Sequence, residues 1–226
     1  TDVWAGPVTL DELARPQFAL HSADAVVDVM LAVHGDHQVS NALCAAAVAL
    51  ECGATLEQIA TALAGAGPVS GHRMRVSTRA DGVTVIDDAY NANPDSMRAG
   101  LQALAWISAG SGADRRRSWA VLGEMAELGD DAISAHDRIG RLAVRLDVSR
   151  LIVVGTGRSM SAMHHGAVME GSWGGEAAIL ADADAALTLL RAELQPGDVV
   201  LVKASNAAGL GALADSLAAD GRGDSR

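Results

Sequence analysis

The 226 residues carry a formal net charge of −11; half of them are hydrophobic, 3% are aromatic and 20% are charged. That acidic balance excludes general nucleic-acid binding, which needs clustered Lys and Arg to displace counterions from phosphates. A charged fraction of 20% is too low for a disordered chain, and no apolar run is long enough to span a bilayer.

The first residues, Thr1-Asp2-Val3-Trp4, have neither the basic nor the apolar stretch of a secretory signal. Residues 1–33 then alternate as short strands do, with Phe18, Leu20, Val27, Val29 and Leu31 among the apolar positions. A helix is expected from about His37 to Glu51, apolar nearly all round and therefore buried, with Gly53 ending it. Its two cysteines, Cys44 and Cys52, are two helical turns apart, about 12 Å, too far for a disulfide. Both read as small buried residues of a reducing compartment, which makes the cytoplasm the expected location. Thr55 is expected to cap a second helix reaching about Leu63. The breakers Gly65, Gly67, Pro68 and Gly71 mark a linker.

Beyond the linker the pattern changes. Met74–Thr78 and Val83–Asp87 flank Ala80-Asp81-Gly82 as a hairpin would. Strands are expected near 83–87, 118–122, 150–154, 177–180 and 198–202, and helices near 95–108, 132–146, 158–168, 182–193 and 206–218. Runs such as Leu151-Ile152-Val153-Val154 and Val199-Val200-Leu201-Val202 suit a parallel sheet covered on both faces. The expected class is α/β: a doubly wound, Rossmann-like, mostly parallel sheet over residues 76–226, preceded by strands and a helical pair in residues 1–75. Gly110–Arg117 and the tail Gly221–Arg226 are expected to be mobile.

In such a sheet ligands bind beyond the carboxyl ends of the strands. The expected strands end in Asp87-Asp88-Ala89-Tyr90-Asn91-Ala92-Asn93-Pro94, in Gly123-Glu124-Met125-Ala126-Glu127-Leu128-Gly129, in Gly155-Thr156-Gly157-Arg158-Ser159 and in Lys203-Ala204-Ser205-Asn206, so four polar clusters fall on one rim. A carboxylate at a strand end can accept from both ribose hydroxyls, and carboxamides can meet base edges or phosphate oxygens. Turn and cap chemistry is the competing explanation for Asp and Asn there; their density on the rim favours a site. Lys203, the only lysine, ends an apolar strand at a position that is commonly solvated.

The segment Val85–Met97 resembles the start of the carboxy-terminal domain of Mur-type peptide ligases, specifically the MurF type, through Asp87-Asp88-Ala89-Tyr90-Asn91-Ala92-Asn93. Three further blocks agree in order. Gly35-Asp36-His37-Gln38-Val39-Ser40-Asn41-Ala42-Leu43 is similar to that family's Gly-x-His-Asn-x-x-Asn-Ala helix start. Val121–Gly129 followed by His136 is similar to its Leu-Gly-Asp-Met-x-Glu-Leu-Gly loop, and Leu201-Val202-Lys203-Ala204-Ser205 to its Leu-Val-Lys-Gly-Ser strand end. The departures are Gln38 for Asn, Glu124 for Asp, Ala204 for Gly and Asn206 for the usual Arg.

The resemblance implies ATP- and magnesium-dependent joining of D-alanyl-D-alanine to UDP-N-acetylmuramoyl-tripeptide through an acyl phosphate, by a monomer that neither enters membranes nor binds nucleic acid. It implies a nucleotide side of His37, Asn41, Arg73, Asp88, Asn91 and Asn93, with Asn41 toward adenine, Asp88 on the ribose and Arg73 near the phosphates. It implies a dipeptide side of Glu124, Met125, Glu127, His136, Lys203 and Ser205. His37 and Asn41, spaced i, i+4, could instead fix a helix end; Arg73 could serve a linker ion pair and His136 a helix cap. No Gly-x-x-x-x-Gly-Lys-Ser/Thr occurs, so residues 1–75 are expected to be the tail of a central ATPase domain whose phosphate loop and magnesium ligands lie upstream. The chain alone is then expected to be inactive. Two rivals are a stand-alone nucleotide- or anion-binding module and an aspartyl phosphotransfer domain; the second needs an Asp-x-Asp-x-Thr or receiver-type acidic pair, which Asp87-Asp88-Ala89-Tyr90 does not supply.

Overall fold

Short alternating strands need a sheet to close on, and in the computed structural model they find one. Residues 2–23, 25–68, 70–110, 115–171 and 175–220 are described, and the chain divides into two compact units, residues 1–69 and 70–226.

In the first unit, β3 (Pro16–Ser22) pairs antiparallel with β1 (Val3–Ala5) and β2 (Thr9–Leu10) along one edge and with β4 (Ala25–Met30) along the other. Phe18, Leu20, Val29 and Leu31 are buried against α1 (Gln38–Glu51) and α2 (Leu56–Gly65). Thr55 caps α2 as expected: its hydroxyl accepts from Gln58 N while Gln58 Oε1 accepts from Thr55 N, a reciprocal capping box.

Helix α1 corrects the expectation of burial all round. Only Val39, Ala42 and Ala46 are buried in it, one stripe at i, i+3, i+7 spacing, while Val48 is 66% exposed. Cys44 and Cys52 lie off that stripe and are exposed, not buried.

In the second unit, six strands form one sheet in the order β5-β6-β10-β7-β8-β9. They are β5 (Arg75–Thr78), β6 (Thr84–Asp88), β7 (Ser118–Leu122), β8 (Arg150–Val154), β9 (Ala177–Leu180) and β10 (Val199–Lys203). β5 is antiparallel to β6, the expected hairpin; the other pairings are parallel. Apolar side chains cover both faces because each is roofed by helices. One face packs α6 (Ala183–Glu193) and α7 (Gly211–Asp220) against Val85, Val121, Val200 and Val202. The other receives α3 (Pro94–Ala109), α4 (Ala132–Arg145) and α5 (Arg158–Gly171).

Helices α4 and α5 approach so closely that glycine is required on both sides. A Cβ on Gly140 would collide with the Met163 carbonyl, and one on Gly166 with the Asp137 carbonyl.

Two details differ from the sequence reading. The last helix is not continuous from residue 206: a short 3-10 turn, Asn206–Ala208, ends at Gly209, whose φ of +71° places it in the left-handed region, and α7 begins afresh at Gly211. Within Gly110–Arg117, residues 111–114 lie outside the described residues, as does the tail 221–226. Arg116 and Arg117, however, are tied down. Arg116 donates to the carbonyls of Gly82 and Gly197, and Arg117 to the Asp198 carboxylate.

Candidate functional site

The strand order places a switch point at β10. The helices following its neighbours β6 and β7 lie on one face, while α7, following β10, lies on the other. Crevices of this kind, at the carboxyl ends of strands, are where doubly wound sheets bind ligands. Parallel register brings Asp88, Lys203 and Leu122 level, so the polar clusters of β6, β10 and β7 emerge side by side.

Consecutive residues on a strand point to opposite faces, and Asp87 and Asp88 therefore part company. Asp88 turns toward α3. Its Oδ2 accepts from Lys203 Nζ at 2.6 Å and its Oδ1 from Met74 N at 3.0 Å. Lys203 is 1% exposed and also donates to the Asn91 carbonyl at 2.9 Å. It reaches them by lying along Gly100 of α3, where an added Cβ would come within 3.2 Å of its Cδ. The competing reading of Lys203 as merely a solvated strand end does not hold: the side chain is buried beside a carboxylate.

Asp87 turns toward α7. It is 1% exposed and accepts from His72 Nδ1 and from Arg75 Nη2, each at 2.9 Å. Arg75 also donates to Asp215 of α7 at 2.6 Å. His72, Asp87 and Asp215 come close enough to resemble a metal cage. A guanidinium already bridges the two carboxylates, so this group does not fit a magnesium ion.

The segment 72–75 is strapped across the end of β6, since Tyr90 N donates to the His72 carbonyl at 3.0 Å. Between those anchors Arg73 is exposed, its guanidinium carbon 4.2 Å from the centroid of the Tyr90 ring. It has no carboxylate partner among the described residues, which leaves its charge available to an anion; the ring contact itself is worth about 0.5–1 kcal/mol at an exposed position. Asn91 and Asn93 show turn chemistry. Asn91 Oδ1 accepts from Ala92 N at 2.9 Å. Asn93 caps α3 by accepting from Ser96 N at 2.8 Å, with Pro94 opening the helix. In the first unit, His37 is the residue preceding α1 and makes no side-chain cap, and Asn41 donates to Gln38 Oε1 at 3.0 Å. Both are exposed.

The loop after β7 is held by its neighbours rather than by itself. Gly123 N donates to the Lys203 carbonyl and Ser205 N to the Glu124 carbonyl, each at 2.9 Å. Ala126 N donates to Ser205 Oγ at 2.8 Å, and Met125 N to His136 Nε2 at 2.9 Å. Gly123 lets the two strand ends close up, because a Cβ there would lie 2.8 Å from that of Ala204. Of the six residues expected on the dipeptide side, only Glu124 and Glu127 are exposed. Met125, His136 and Lys203 have 1% exposure or less and Ser205 has 6%, so these four sit behind the surface and shape it. Burial pushes the His136 imidazole below the ordinary histidine range, opposed by its bond to the Ala132 carbonyl and by the charge of Glu124.

Two openings lie on this side of the sheet, and Glu124 of the loop lines the first. One, of about 580 Å³, is lined by Glu124, Thr156, Asp182 and Asp184 at the ends of β8 and β9. The other, of about 870 Å³, is lined by Arg138, Arg158, Ser134 and His165. Arg138 was not legible as a rim residue; its only signal is its i+4 spacing from Ser134 on one face of α4.

A sequence profile described as the Mur ligase, glutamate ligase domain matches residues 72–206, which include every strand end just described. The chain belongs to the Mur ligase family. It is 75% identical over 230 residues to the UDP-N-acetylmuramoyl-tripeptide--D-alanyl-D-alanine ligase of Mycobacterium tuberculosis, covering 97% of this chain and 45% of that protein. The corresponding ligase of Escherichia coli is 35% identical over 139 residues, 62% of this chain and 29% of that protein. A crystal structure of MurF from Acinetobacter baumannii superposes with a TM-score of 0.81 at 29% identity, covering 96% of this chain and 45% of that one. This Mur ligase chain thus corresponds to the C-terminal portion of MurF-type enzymes and spans less than half the length of these relatives. Among the described residues no helix is long and apolar enough to cross a membrane.

Proposed function

We propose that this Mur ligase chain forms the acceptor-side rim and the nucleotide's sugar contacts of an ATP-dependent enzyme joining D-alanyl-D-alanine to UDP-N-acetylmuramoyl-tripeptide in the cytoplasm. The observation that carries the reading is the switch point at β10, where Asp88, Arg73 and the Glu124–Gly129 loop meet on one rim of the sheet. Asp88, with its orientation fixed by Lys203 and Met74 N, meets the ribose; Arg73, poised over Tyr90, meets the phosphates. Asn41 and His37 approach the adenine. Asn91 and Asn93 support that crevice mainly by fixing the turn into α3. Glu124 and Glu127 face the dipeptide, with Met125, His136, Lys203 and Ser205 behind them.

Residues 1–75 are read as the end of the central ATP-binding domain and residues 76–226 as the C-terminal domain. The triphosphate cradle and the magnesium ligands belong to the part of the enzyme upstream, since no phosphate-loop motif occurs here. The 226-residue chain alone is accordingly inactive. Steady-state kinetics of the full-length enzyme test the assignment: Asp88→Ala raises the ATP requirement more than the tripeptide requirement, and the reverse order would remove Asp88 from the ribose. ATP turnover by the chain alone with both substrates present would overturn the division of labour.

A further inference from the structure

His136 is a buried titratable group that lies behind the rim loop and to which the proposed reaction gives no chemical step. Its ring is fully enclosed on α4, at 0% exposure, and both nitrogens are engaged. Nδ1 lies 2.6 Å from the Ala132 carbonyl, and Nε2 lies 2.9 Å from the Met125 amide nitrogen. A carbonyl only accepts and an amide only donates, so both contacts are satisfied by one protonation state: neutral, with the proton on Nδ1. The ring is therefore a directional clamp between the first turn of α4 and the middle of the rim loop.

That clamp acts on Glu124. Met125 is buried at 1% exposure, and its neighbour Glu124 points outward into the opening lined by Thr156, Asp182 and Asp184. Three bonds fix the peptide units around Glu124. Ser205 N holds its carbonyl, Ser205 Oγ takes the Ala126 amide, and His136 takes the Met125 amide between them. The first two come from Ser205, just past the end of β10, whereas His136 ties the loop to α4. We propose that His136 is a positioning residue which, as the Nδ1–H tautomer, accepts the Met125 amide proton and thereby aims the Glu124 carboxylate into the rim opening beside β8 and β9. Its consequence for turnover rests on the reading of this loop as the dipeptide side; the clamp itself does not. Protonation of Nε2 would set a donor against the Met125 amide and release the loop. Burial opposes that protonation, and Glu124 is the charged side chain that favours it.

The 226-residue chain provides the test of the clamp. Nitrogen-15 NMR of the imidazole is expected to show Nδ1 protonated and Nε2 bare at neutral pH. On acidification the amides of Glu124, Met125 and Ala126 should shift with the ring's own midpoint. His136→Gln, which keeps an acceptor, should leave the Met125 amide protected. His136→Phe, which keeps the bulk without the acceptor, should speed its hydrogen exchange about tenfold, the scale of one ordinary hydrogen bond. An Nε2–H tautomer, or loop amides that ignore the ring's titration, overturns the proposal even if the Phe variant fails to fold. In the full-length enzyme, both variants should remove the imidazole's contribution to the acidic limb of the kcat profile, and His136→Phe should lower kcat further than His136→Gln. An intact clamp by NMR with no kinetic effect of either variant would leave the clamp standing and refute the dipeptide-side reading.

Discussion

Lys203 Nζ and Asp88 Oδ2 meet at 2.6 Å across the seam between β10 and β6, 115 residues apart in sequence and level with each other in the sheet. Breaking such a buried pair by removing one partner leaves the other charge without compensation, at a cost of about 3–5 kcal/mol. Lys203→Met is therefore expected to lower the urea midpoint of the chain sharply. The double variant with Asp88→Asn should recover part of the loss, because the stranded carboxylate is gone. Equal losses in the single and double variants would show that the pair contributes only by packing.

Asp198 is a further buried carboxylate held by several partners. It accepts from Arg117 Nε and Nη2, from Trp119 Nε1 at 2.9 Å and from Gln195 N at 2.9 Å. Asp198→Ala orphans the indole N–H inside the sheet, a cost of about 1–3 kcal/mol. It should also alter the fluorescence of Trp119, whose ring lies near the guanidinium groups of Arg117 and Arg150. An unchanged emission spectrum together with an unchanged midpoint would contradict this account.

The contact of α4 with α5 leaves no room for a methyl group at either Gly140 or Gly166. Gly140→Ala, though it favours helix in isolation, should destabilise the chain by at least about 1–3 kcal/mol through overpacking. Thermal unfolding measures it. Gly175→Ala, at a position where an added Cβ meets nothing within 4 Å, serves as the control.

Acid is expected to weaken the fold. His34, whose Nδ1 lies 2.8 Å from the Leu13 carbonyl, and His136 are both held below the ordinary histidine value, chiefly by burial. The unfolded chain then binds more protons than the folded one in the window between those lowered values and about 6.5. Stability should fall as the pH drops through that window and level off beneath it. Urea midpoints measured across it in the chain and in His136→Gln should show a shallower slope in the variant; identical slopes would remove His136 from the effect.

The second sheet was legible because its strands are short apolar runs bounded by Gly, Pro or Asp, and each expected strand lies within a residue or so of the observed one. The rim followed from topology alone, since parallel strands send their ends the same way. Individual partnerships were not legible. Lys203 looked solvated because nothing local in Val199–Ser205 announces a carboxylate that arrives from β6. Asn93 and Asp88 belong to one polar cluster, yet one became a helix cap and the other an ion-pair partner; composition does not separate those outcomes. Burial of α1 was overread for a different reason: an apolar helix shows what it could cover, whereas exposure depends on what packs against it.

The back-to-back carboxylates of β6 have one further consequence. Val83, Val85 and Ile86 are buried on both faces of the sheet, so hydrophobicity alone would tolerate the strand shifted by one residue. The acids do not. A one-residue slip would turn Asp87 away from Arg75 and His72 and Asp88 away from Lys203, leaving two anions facing the wrong layers. Adjacent like charges, costly in most strands, here work as a key that lets this one seat in a single alignment.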